Sequence, residues 1–127
     1  MTGGSIIAAE NQIEIVRGAT KVFELEVTDA HSEAVDLTGA RVVLSVKCSL
    51  EDASPLIQKD SEKGATQVDI TTPKEGLAEI KFVPSDTQTT DIGEYIFDVW
   101  VVLASGAQNP VVQPSPFIIK AGVTVLV

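Results

Sequence analysis

Apolar and polar side chains alternate with a period of two along most of the chain. In residues 22–28, the apolar Phe23, Leu25 and Val27 occupy every second position, and charged residues fall between them. Because successive side chains of a strand point to opposite faces of a sheet, this pattern predicts half-buried strands with one wet face. The same alternation recurs in residues 12–15, 67–71 and 78–82.

Two other segments, residues 42–46 and 95–103, are apolar on both faces. A strand of this kind is either central in its sheet or covered on its outer side by a neighbour. Trp100 lies in the second of these segments. We expect its ring to fill the core or a subunit interface, and the alternative is an exposed ring that stacks on a sugar.

Turn-forming residues separate these segments, among them residues 29–33, 74–76 and 105–106. Their spacing of roughly 8–12 residues is typical of a sandwich or a barrel. The sequence therefore predicts an all-β fold of about seven to nine strands, either an antiparallel β-sandwich or a barrel.

One short helical turn is predicted within residues 84–91. Ser85 and Gln88 have the three-residue spacing of a capping box, and Gly93 is placed to end the turn. β-Branched residues at positions 87, 89 and 90 disfavour a longer helix.

The chain of 127 residues is long enough for one domain. Residues 1–10 lack the alternation and contain two adjacent glycines, so we predict a flexible N-terminal arm there and a single β-sandwich domain over residues 11–127. The arm lacks the basic segment of a signal peptide, and no stretch approaches the roughly 20 apolar residues of a membrane-spanning helix.

Both ends of the chain are more apolar than a solvated terminus requires. Two isoleucines lie in the arm, and residues 122–127 have strong β propensity, which predicts a terminal strand. An apolar edge strand favours pairing with another chain. The candidate subunit-interface residues are Ile6, Ile7, Val123, Val125 and Val127.

Composition disfavours several classes of partner. Eighteen acidic and nine basic residues give a net charge of −9, which repels phosphate backbones and anionic lipids. We therefore expect neither a nucleic-acid nor a membrane partner. The single cysteine, Cys48, follows a strand-like segment and is predicted to be a small buried hydrophobic residue. One unpaired cysteine also fits a reducing compartment.

The residues predict no catalytic site and no cofactor. His31 is the only histidine, and we expect it to be solvated, because a triad or a zinc site needs further partners. Asp36 is expected to accept a hydrogen bond from the amide of Thr38 or Gly39, and Gly39 to adopt a positive φ. A cation site at Asp29 and Asp36 is the alternative, but calcium needs six or more oxygen ligands and no loop has EF-hand spacing.

Residues 91–97, Asp-Ile-Gly-Glu-Tyr-Ile-Phe, resemble the Asp-x-Gly-x-Tyr-x-Cys signature of immunoglobulin-like domains. The resemblance implies a tyrosine corner, in which the Tyr95 ring packs on the core and its hydroxyl bonds a nearby backbone group. Phe97 stands at the cysteine position, where it is expected to face inward and replace a disulfide by bulk.

A longer series of motifs runs through about residues 12–120: Arg-Gly-Ala-Thr at 17–20, Asp-Leu-Thr-Gly-Ala at 36–40, Gly76, Ser85-Asp86-Thr87 and Gly93-Glu94-Tyr95. In order and rough spacing, this series resembles the immunoglobulin-like domains of tailed-phage virion proteins. The N-terminal domains of upper baseplate proteins and related small tail or neck proteins are the most similar.

The resemblance implies a structural protein of a phage virion, made in the host cytoplasm, that docks in a tail, baseplate, neck or capsid. Its implied partners are other virion proteins and copies of itself, and the family offers no catalytic residues to carry over. The alternative function is a carbohydrate-binding or adhesin-type sandwich with Trp100 as its platform. A Trp100 ring exposed in a groove favours that alternative, and a buried ring removes it.

Overall fold

A computed structural model describes the backbone of residues 7–8 and all of residues 12–124. This part of the chain contains nine strands, one four-residue helix, and 3₁₀ turns at Ser61–Lys63 and Pro73–Glu75. None of its helices is long and apolar enough to cross a membrane. The elements are β1 (Ile7–Ala8), β2 (Ile13–Val16), β3 (Lys21–Thr28), β4 (Arg41–Lys47), β5 (Ile57–Asp60), β6 (Val68–Thr72), β7 (Leu77–Phe82), α1 (Pro84–Thr87), β8 (Gly93–Val102) and β9 (Gln108–Lys120).

The strands form two sheets packed face to face. One sheet has the order β1-β3-β7-β6, and the other has the order β2-β9-β8-β4-β5. Neighbours pair antiparallel, except that β2 runs parallel to the end of β9. This arrangement is an immunoglobulin-like β-sandwich, as the sequence predicts. The two strands that are apolar on both faces, β4 and β8, are central in the five-stranded sheet, as expected.

The core lies between the sheets, where aromatic rings from both sheets meet. Phe97 on β8 contacts Phe23 edge-on at 5.9 Å between ring centroids and Phe117 at 6.2 Å, and Phe82 lies 5.5 Å from Phe117. All four rings are buried. The inward orientation predicted for Phe97 is confirmed, and its ring joins the two sheets where a disulfide would otherwise do so.

The predicted tyrosine corner is present at the start of β8. The Tyr95 ring is buried and its hydroxyl donates to the carbonyl oxygen of Asp91 at 2.6 Å. Burial raises the pKa of this hydroxyl. The hydrogen bond ties β8 to the segment that enters it and fixes which residues of β8 face inward.

The turn between β3 and β4 also forms as predicted. The Asp36 carboxylate accepts from the Thr38 hydroxyl at 2.6 Å and from the Thr38 amide at 2.9 Å. These hydrogen bonds, the hydroxyl one first, lower the pKa of Asp36. Gly39 follows with a φ of 75°, a conformation that glycine adopts without strain.

The helical turn is present but its cap differs from the prediction. Because Pro84 is the first helical residue, the capping position is Val83, and the Asp86 carboxylate accepts from the Val83 amide at 2.8 Å. Ser85 and Gln88 do not form the predicted capping box. The helix ends at Thr87, and Gly93 begins β8 instead of ending the turn.

A buried ion pair anchors this helical turn to the edge strand β5. The Lys59 ammonium lies 2.8 Å from the Asp86 carboxylate and 5.8 Å from the centre of the Phe82 ring. The Lys59 side chain is only 7% exposed. A buried charge is tolerated when it is paired in this way. The sequence around residue 59 does not indicate that the Lys59 side chain is buried.

The prediction that Cys48 is buried is wrong, because the thiol is exposed. β4 ends at Lys47, so Cys48 lies just beyond the strand. The Asp52 carboxylate then accepts from the amides of Cys48 and Ser49 at 3.1 and 3.2 Å, which turns the backbone into a loop.

The predicted terminal strand is wrong in its described part. The last strand of the chain, β9, ends at Lys120. Its parallel neighbour β2 ends at Val16, directly opposite Lys120. Val123 is fully exposed. In the predicted arm, the backbone of Ile7–Ala8 pairs with the end of β3. Ile6, Val125 and Val127 lie outside the described residues.

Truncation of Phe97 tests the inward face of β8. Phe97→Ala removes the ring that contacts both sheets, so we expect it to lower the free energy of unfolding by about 3–5 kcal/mol. The control is Ile118→Ala, a half-buried position on the outer face of β9, which should cost about 1 kcal/mol or less. Denaturant melts of the two variants give the comparison, and a cost below about 1 kcal/mol for Phe97→Ala would place the core elsewhere.

Gly76 tests the close approach between the β6–β7 turn and β3. A Cβ at this position would lie 2.4 Å from the Val27 carbonyl oxygen, and φ is 71°. Gly76→Ala should therefore cost about 3 kcal/mol or more, from backbone strain and overpacking together. Gly106 also has a positive φ but open space around it. Gly106→Ala should cost only about 1–2 kcal/mol, and equal melts for the two variants would contradict the predicted clash.

Candidate functional site

The outward side chains of β8 include an exposed tryptophan. Alternation along β8 buries Tyr95, Phe97, Val99 and Val101 and turns Trp100 outward, where it is 40% exposed. Of its two expected places, the core is therefore wrong for Trp100, and the subunit interface stays a prediction. The expectation of a core position arose because a strand that is apolar on both faces is often buried on both. Such a strand can also have an outer face that a neighbour covers.

A shallow groove of about 310 Å³ lies beside the Trp100 ring. Leu50, from the loop after β4, lines the groove and is 68% exposed. Two large exposed apolar side chains therefore line one groove, which makes it a candidate interaction site. We name the surface the Trp100 face and define it by Lys47, Leu50, Ile96, Asp98, Trp100 and Pro114.

The strand register explains why these side chains meet. Ile96 lies opposite Lys47 of β4, and Trp100 lies opposite Val43 of β4 and Pro110 of β9. β9 contains prolines at residues 110, 114 and 116, and the pairing of β8 with β9 is irregular in this region. The irregular register places proline rings, which lack amide donors, beside the tryptophan.

The two charged groups of the Trp100 face differ in their partners. The Asp98 carboxylate accepts from the Trp100 indole nitrogen at 3.1 Å, which satisfies the indole N–H and orients the ring. Lys47 forms no ion pair with any described residue. The face therefore holds an oriented aromatic ring, one acid, and one base that is available to a partner.

The outer face of the opposite sheet is strongly acidic. Glu24 lies directly opposite Glu79 in the β3–β7 pairing, and Glu79 lies opposite Asp69 in the β7–β6 pairing. Like charges in facing positions are unfavourable for the sheet. We name this surface the acidic face and define it by Glu24, Glu26, Asp69 and Glu79.

The predicted polar candidates do not come together into a chemical site. Asp29 accepts from the backbone amides of His31 at 2.8 Å and Glu33 at 3.1 Å, and the Asp36 carboxylate is occupied by Thr38. His31 is exposed, as expected. Over residues 12–124, no three His, Cys, Asp or Glu side chains are grouped as metal ligands.

Sequence reasoning singled out Trp100 but missed the residues around it. The outward positions of a strand that is apolar on both faces were a usable signal for Ile96 and Asp98. Leu50 gave no signal, because a loop residue reaches the face only through the path of the loop. Sequence reasoning favoured the termini as an interface. Among the five terminal candidates, Val123 is the one whose side chain is described, and it is exposed.

No protein-family model matches the chain, and no curated protein sequence matches it. CopC from Methylosinus trichosporium OB3b is similar in structure, with a TM-score of 0.52 and 10% identity over 98% of this chain and 100% of CopC. The Lin-41 filamin domain has a TM-score of 0.47 and 19% identity, covering 94% of this chain and 93% of that domain. Murine CRIg has a TM-score of 0.46 and 11% identity, covering 95% and 99%.

At such low identity, the likeness to CopC shows a shared β-sandwich fold and nothing about ligands. The chain is an immunoglobulin-like β-sandwich by its strand order and by its tyrosine corner.

Trp100 is the only tryptophan, so tryptophan fluorescence, excited selectively over Tyr95, reports on this face alone. In dilute solution, we expect acrylamide to quench the folded protein substantially, because the ring is 40% exposed. The measurement is the Stern–Volmer constant before and after unfolding in denaturant. A folded protein that resists quenching would show that the ring is covered.

Proposed function

We propose that the chain is a non-catalytic docking module of a phage virion that binds another protein subunit through the Trp100 face. One observation carries the docking role: the outer side of a central strand presents Trp100, 40% exposed, in a groove that the 68% exposed Leu50 also lines. A strand with this pattern gains stability when a neighbour covers it. Aromatic anchors next to apolar and charged side chains are typical of protein interfaces.

The virion setting rests on the series of short motifs shared with tailed-phage immunoglobulin-like domains. Two of these motifs make hydrogen bonds that hold the fold, at Asp36 and at Tyr95. They support the fold of such a domain, and the series of motifs remains the support for the setting. The net charge of −9 fits protein partners better than nucleic acid or lipid.

Carbohydrate binding is the second candidate function, and the exposure of Trp100 in a groove favours it. The groove offers Ser45, Lys47 and Asp98 to sugar hydroxyls, and Trp100 is the only exposed aromatic platform among the described residues that line it. Titration of mono- and oligosaccharides against Trp100 fluorescence separates the two functions. A saturable fluorescence change, together with loss of sugar binding by Trp100→Ala in a direct binding assay, would favour the sugar. No fluorescence change with any sugar supports protein docking.

Particle incorporation tests the docking role. Mass spectrometry of purified phage particles should detect the chain, and Trp100→Ala should reduce its incorporation at least tenfold, as the loss of an interface anchor does. The matched control is Val22→Ala, because Val22 is 45% exposed on the outer side of the other sheet. Normal incorporation of Trp100→Ala, or absence of the wild-type chain from particles, would contradict the proposal.

A further inference from the structure

We propose that the partner of the Trp100 face is a second copy of this chain, bound face to face about a two-fold axis. This inference rests on the proposed docking role and specifies the partner. A two-fold interface uses the same surface of both copies, so that surface must complement itself. The Trp100 face meets this condition in its charges as well as in its apolar side chains.

The charge pattern supplies the self-complementarity. The face carries one base, Lys47, and one acid, Asp98, on neighbouring antiparallel strands. The two are diagonal neighbours, since Lys47 lies opposite Ile96, which is two residues before Asp98 on β8. A two-fold axis that lies in the interface, midway between these two side chains, brings each Lys47 over the Asp98 of the other copy. The dimer then gains two ion pairs.

The net charge of the face points to the same partner. With one base and one acid, the face is neutral overall, although the whole chain carries −9. A neutral surface does not select a basic protein through long-range attraction. The surface that complements it has an acid opposite Lys47 and a base opposite Asp98. A second copy, related by the two-fold axis, presents such a surface.

The net charge of each copy opposes self-association unless the acidic groups stay apart. The acidic face lies on the other sheet, so a contact through the Trp100 face leaves both acidic faces on the outside of the dimer. With sheets packed about 10 Å apart, the two acidic faces are separated by about 30 Å. That distance is several times the Debye length of about 8 Å at physiological salt, so their repulsion is screened.

A charge-exchange experiment tests this dimer. Sedimentation equilibrium of the full chain over a range of concentrations should show a monomer–dimer equilibrium. Lys47→Asp and Asp98→Lys should each weaken the dimer about tenfold or more, because each places like charges opposite one another twice. Combining the two substitutions in one chain should make the dimer tighter than in either single variant, since the pairs form again with their signs exchanged. It should stay weaker than the wild-type dimer, because the Trp100 indole loses its Asp98 acceptor.

Mixing the two single variants gives the sharpest result. In a mixed dimer, the two substituted side chains would face each other as one ion pair, and the unsubstituted Lys47 and Asp98 would form the other. The mixture should therefore associate although neither variant does so alone. The control is Glu79→Lys on the acidic face, which changes the net charge by the same amount as Asp98→Lys. It should leave the dimer at least as stable as the wild type.

The outcomes separate this inference from the docking role. A wild-type chain that stays monomeric at all concentrations, or variants that do not rescue each other on mixing, would overturn the dimer. If Trp100→Ala still reduces particle incorporation in that case, the face docks on a different protein and the proposed function stands. If Trp100→Ala has no effect in either assay, both proposals are wrong.

Discussion

The pleat of β8 is the constraint on which the other features depend. Its inward positions carry Tyr95 and Phe97, which lock the two sheets together, so the positions between them have to face outward. A slip of one residue would bury Asp98 and expose Phe97, and the hydrogen bond from Tyr95 to Asp91 holds the strand against it. The exposure of Trp100 is therefore set by the core and does not depend on any flexible loop.

The two outer faces of the sandwich have opposite character. On the four-stranded sheet, carboxylates occupy facing positions, an unfavourable arrangement that keeps this side in water and away from other acidic surfaces. On the five-stranded sheet, an oriented indole, proline rings and a loop leucine surround one acid and one base. Under the docking proposal, the five-stranded sheet is the side that contacts a partner and the four-stranded sheet is the side that stays in solvent.

The fold was largely predictable from the sequence because its signals are local. Alternation of period two predicted the strands, and the Asp36 and Tyr95 motifs each form a hydrogen bond within four residues along the chain. The errors have two origins. At Cys48, a hydrogen bond to the nearby Asp52 redirects the backbone, and the apolar pattern does not show it. At Lys120, β9 ends where its distant partner β2 ends. The ion pair between Lys59 and Asp86 likewise joins elements that are distant in sequence.

The Trp100 face was predictable only in part. A strand that is apolar on both sides indicated that its outer side needs a cover, but sequence alone does not say whether the same chain or another provides it. Lys47 and Asp98 also look like ordinary solvated charges until the register of β4 and β8 brings them to adjacent positions.

Hydroxyl-radical footprinting measures the use of this face most directly. The chain is oxidised as a dilute monomer and again in its assembled form, and the modification of each side chain is compared by mass spectrometry. The account predicts that assembly protects Trp100 and Leu50 while Val22, exposed on the other sheet, is modified to the same extent in both forms. Equal modification of Trp100 in the two forms, with protection at Val22 instead, would contradict it.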